Sequence, residues 1–99
     1  MASYKITDAE PRANAQVALD VWVFPTDADT ADNANSVGHF TVMLSAADVV
    51  AAFQLPPAQR NAAMKALFEA DTRISGIVLA EEAAASLNGA YSWPVVIAL

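Results

Sequence analysis

The chain predicts an α+β fold: a small antiparallel or mixed sheet in the order β-β-α-α-β-α-β, with short helices packed on one face. Three patterns carry this expectation. Two stretches alternate apolar residues at strand period, a proline pair divides two helically spaced stretches, and a β-branched run occupies the C-terminal end. With 99 residues, residues 1–99 suit a single domain with one core.

Residues 15–24, AQVALDVWVF, place Val17, Leu19, Val21 and Val23 on one face and Ala18, Asp20, Trp22 and Phe24 on the other. Pro25 ends this strand, because proline has no amide to donate to a ladder. In residues 38–44, GHFTVML, Phe40, Val42 and Leu44 alternate with His39, Thr41 and Met43. Putting both aliphatic sets on one face sets Val23 opposite Phe40, Val21 opposite Val42 and Leu19 opposite Leu44.

SAADVVAAFQL reads as a short helix, with Ser45 and Asp48 resembling a capping box and Val49, Val50 and Phe53 as its stripe. Pro56 and Pro57 stop it and start a second helix, which runs to about Ala70 with Met64, Leu67 and Phe68 on one side. Residues 72–89 admit two readings. One is a single helix closed by Asn88 and Gly89. The other is a strand over 73–79 and a short helix over 80–87. Ile74, Ile77, Val78 and the helix-weakening Gly76 favour the second. YSWPVVIAL is then a last strand, with Pro94 placing it at an edge or a strand start.

Twenty-three alanines inflate the apolar fraction, and 32 larger apolar side chains remain, enough for one core. Charged residues make up 16%, against roughly 25% in ordinary domains, so part of the surface is expected to be interface. Eleven acids against five bases leave no basic patch able to displace counterions from a nucleic acid, which excludes it as the expected partner. Cysteine is absent, which rules out disulfides and thiolate metal sites. The start MASYKITDAEPR lacks the apolar core of a secretory signal. The uncharged stretch 83–99, broken by Asn88, Gly89 and Pro94, is too short to span a membrane. Synthesis in the cytoplasm, with no membrane partner, is the expectation.

Five oxygen-bearing side chains, Asp27, Asp29, Asp32, Asn33 and Asn35, crowd the loop between the first two strands. As a calcium loop it fails at fixed positions: counted from Asp27, Ala31 stands fifth, Asp32 replaces the sixth-position glycine and Gly38 replaces the twelfth-position glutamate. Asp27, Asp29 and Asp32 therefore remain weak metal candidates, and a loop whose side chains bond their own backbone is the simpler account. No metal or cofactor is expected. No glycine-rich phosphate loop is present, and adjacent Glu81 and Glu82 point about 100° apart on a helix, unsuited to an acid/base pair. His39 is the only histidine and no motif sets a nucleophile beside it, so no catalytic residue is assigned and an enzyme is not expected.

The outer strand face is the more informative feature. Trp22, Phe24 and His39, with Met43, would form an aromatic patch there unless helices cover it. Val95, Val96, Ile97 and Leu99 lie in a run with no charged gatekeeper, which must be covered or added to another sheet. In general build, with no particular motif, the chain is similar to small subunits of multi-copy assemblies such as bacteriophage particles. That resemblance implies a non-enzymatic structural or assembly protein whose partners are protein subunits, copies of itself or others, and which is incorporated in a virion. A small binding or regulatory module, holding a peptide, ligand or cation through loop 25–37, is the alternative.

Overall fold

The computed structural model describes residues 2–98. Strands β1 (Ser3–Arg12), β2 (Gln16–Phe24) and β3 (Gly38–Ser45) form one antiparallel sheet in the order β1-β2-β3. Helices α1 (Ala46–Phe53), α2 (Pro57–Glu69) and α3 (Thr72–Ala90) follow. The class is α+β as expected, but the order is β-β-β-α-α-α.

β1 is an addition to the expected elements. Tyr4 and Ile6 face Val23 and Val21 across the ladder, and a bulge between Ile6 and Asp8 then shifts the register. The turn into β2 puts Asn14 and Ala15 at φ 62° and 56°. Asparagine tolerates that left-handed region, whereas alanine there costs roughly 1–2 kcal/mol.

Between β2 and β3 the expected faces hold but the pairing slips by two residues. Val21 lies opposite Phe40, Leu19 opposite Val42 and Val17 opposite Leu44. A slip of two keeps every side chain on its own face, so periodicity alone cannot detect it. The loop decides the register: Val37 N–H donates to Val23 C=O at 2.8 Å, and 3-10 turns at Asp27–Ala31 and Asn33–Asn35 take up the intervening chain.

Ser45 does precede α1, but its side chain makes no capping bond, so the expected capping box does not form. Pro57 occupies the first turn of α2. Residues 73–79 are helical, against the favoured strand reading. Ile74 is fully buried and Ile77 packs beside it at i+3, and the Asp71 carboxylate caps the helix by accepting from Arg73 N–H. Burial of that face outweighs the glycine penalty at Gly76. Gly89 lies inside α3 with ordinary φ, so it is no left-handed cap. The run beyond α3 forms no strand in residues 91–98, correcting the last expected element.

One sheet face carries the core. Leu19, Val21, Val23 and Val42 pack against Ala52 of α1, Met64 and Phe68 of α2, and Ile74 of α3. Gly38 lets α3 approach: a Cβ there would come within 2.6 Å of Ile77 Cδ1 and 2.8 Å of Phe40 Cε2. Among the described residues, no helix is long and apolar enough to cross a membrane.

Candidate functional site

The opposite sheet face has no helix over it, and the loop supplies partial cover. Phe24 is fully buried yet lies outside the core cluster. Lys5 sits 5.3 Å over its ring and donates to Thr30 C=O at 2.8 Å, tying β1, Phe24 and the loop together. Phe24 is therefore an anchor inside the chain, and it offers no surface for a partner. Trp22 and His39 remain partly open beside it. Their rings stack with centroids 3.6 Å apart.

A chain of hydrogen bonds fixes that stack. Trp22 Nε1 donates to Thr7 Oγ1 at 3.1 Å, Thr7 donates to one Asp20 oxygen, and the other Asp20 oxygen meets His39 Nε2 at 2.6 Å. The bulge in β1 falls at Thr7. The Thr7 hydroxyl, first, and His39 hold the Asp20 carboxyl below its usual range, against partial desolvation. The arrangement contains a histidine and a carboxylate, but its hydroxyl donates to Asp20 rather than to His39. What the geometry does is hold an aromatic plate rigid.

The loop carboxylates point to separate partners. Asp27 accepts from the Ser3 hydroxyl, Asp29 from the Thr26 hydroxyl at 2.8 Å, and Asp32 from Ala34 N–H at 2.9 Å. Among the described residues, no three metal-ligating side chains converge. These local bonds are what asparagine- and aspartate-rich turns make.

A third feature is larger. α3 spans about 28 Å at 1.5 Å per residue, and after Glu81 every described residue is exposed. Leu79, Ala83 and Leu87 recur every four residues, a helical stripe exposed to solvent. Tyr91 turns extended at the end of α3, and Trp93, Val95, Val96 and Ile97 follow in an arm that buries none of them. Val96 is 84% exposed and Ile97 79%. The chain measures 54 × 29 × 22 Å with a radius of gyration of 16.3 Å, against about 13 Å for a compact domain of this size.

Of the residues expected at an interface, Val95, Val96 and Ile97 are thus open, Trp22 and His39 are partly open in a fixed stack, and Phe24 is buried. Leu99 lies outside the described residues. Leu79, Leu87, Tyr91 and Trp93 join the exposed set without having been anticipated. The available signal was the absence of any cation after Arg73. No family model, curated protein or solved structure matches this chain.

Proposed function

We propose that this chain is a non-enzymatic assembly protein working through contacts between protein subunits, with a multi-copy particle such as a bacteriophage virion as the setting. The supporting observation is the arm: α3 from Leu79 onward and residues 91–98 carry seven large apolar side chains into solvent. Single exposed apolar residues are ordinary, but a continuous apolar projection marks a contact surface. Each such side chain, moved fully out of water, contributes roughly 1.5–3 kcal/mol.

The loop fits the binding-module alternative less well, since its carboxylates are committed to local donors and its backbone helps to hold Phe24. Native mass spectrometry of the full chain across a concentration series tests the assembly reading. Oligomers that grow with concentration support it. A monomer at every concentration removes self-assembly.

A further inference from the structure

β1 is an edge of the sheet, and among the described residues no strand pairs with its outer side. Along that edge, between Ala2–Ile6 and helix α2, runs a groove of about 590 Å³. Its floor is apolar, with Tyr4, Met64 and Phe68, and exposed Phe53 and Ile6 stand at its margins. Lys5, Arg60 and Lys65 line it against one acid, Asp27, which gives three minus one, or +2, in a chain of net charge −6. Three of the five cations thus converge on one apolar trough. An open strand edge beside an apolar trough accepts an extended apolar segment, with backbone bonds to the edge and alternate side chains in the trough.

The same chain holds a segment of that description. Residues 92–98 make no backbone–backbone hydrogen bond among the described residues, are rich in β-branched side chains, and are exposed throughout. The chain after Arg73 carries Glu81 and Glu82 and no cation, and the carbonyl end of α3 adds partial negative charge where the arm begins. Donor and acceptor are complementary in backbone and in apolar character. The end of α3 and the arm are exposed throughout residues 82–98, and the molecule extends 54 Å in its longest dimension.

We propose that the arm, residues 92–98, of one copy adds to the free edge of β1 in a second copy and sets alternate side chains of Val95–Ile97 into the trough beside Tyr4, Phe53 and Met64. This rests on the assembly reading and names its partner: a second copy of this chain, reached by arm exchange. Repetition of the exchange links copies head to tail, and a reciprocal exchange closes a dimer.

The natural absence of cysteine makes the test clean. Full-length Ile6→Cys is mixed with Val95→Cys, Val96→Cys or Ile97→Cys and mildly oxidised, with Met43→Cys on the opposite edge strand replacing Ile6→Cys as control. The proposal expects disulfide-linked heterodimers with Ile6→Cys, strongest at alternate arm positions, because a disulfide needs Cα atoms about 4.4–6.8 Å apart. Oligomers that cross-link to Met43→Cys, or not at all, overturn the β1 docking while leaving assembly standing. A doubly substituted chain that links only within itself at high dilution shows the arm folding back on its own edge and overturns exchange. Failure to associate at any concentration overturns both.

Discussion

The imidazole of His39 lies flat against the indole of Trp22, their planes 13° from parallel, while its Nε2 meets Asp20 at 2.6 Å. Cross-strand pairing sets the two residues directly opposite, so the stack belongs to the register of β2 and β3. Had Trp22 and Phe24 both been open, this face would have been an aromatic docking patch. Loop residues take Phe24 away, and the Thr7–Asp20 network immobilises the rest.

The Asp20 network predicts an acid-sensitive component of stability. Its folded carboxyl titrates below the usual value of about 3.9. The unfolded chain therefore binds that proton first, and the stabilisation is present above the usual value and lost as pH falls through the folded one. Asp20→Asn should narrow the difference in melting temperature between pH 7 and pH 3. A double-mutant cycle with His39→Gln should give a coupling of about 0.5–1.5 kcal/mol, the range of a single hydrogen bond.

Tyr4 predicts the opposite limb. Burial first, then its hydrogen bond to Glu69 and that carboxylate's charge, push the hydroxyl's pKa upward. A raised folded pKa means that the unfolded chain loses the proton first. Stability is then whole below about pH 10 and falls as the pH rises above it. Tyr4→Phe should flatten the alkaline limb of a melting-temperature profile.

Gly76 lies in α3 with open space where a Cβ would stand. Gly76→Ala should raise stability by about 1 kcal/mol, read as an increase in melting temperature of roughly 4–8 °C for a domain of this size. A drop would contradict an exposed helical position.

Gly38 is the reverse case. Its added Cβ meets a Phe40 ring atom and the Ile77 tip, and the ring can shift little within the core. Gly38→Ala should cost about 1–3 kcal/mol in chemical denaturation.

Particular residues explain what could be foreseen. β2 and β3 were legible because their inward sets, Val17 to Val23 and Phe40 to Leu44, alternate without interruption. Their register was not, since a two-residue slip leaves the pattern intact and the long loop sets no length. β1 escaped notice because only Tyr4 and Ile6 mark its inward face before the polar and charged run Thr7 to Arg12, a composition suited to an edge. At 73–79, β-branched residues and Gly76 suggest a strand, but Ile74, Ile77 and Val78 also fit helical spacing, and burial under the sheet decided the matter. Val95 to Ile97 have strand chemistry without a strand, because pairing depends on a partner that local sequence does not specify. The exposed arm was legible as excess apolar surface; its extension along α3 was hidden by the strand reading.

The central claim is that the arm joins subunits. Sedimentation velocity of the full chain beside a variant trimmed of Val95 to Leu99 tests it most directly. Association of the full chain that rises with concentration, and its loss in the trimmed variant while the circular dichroism of sheet and helices persists, is the expected result. Equal sedimentation of the two proteins across the whole concentration range would contradict it.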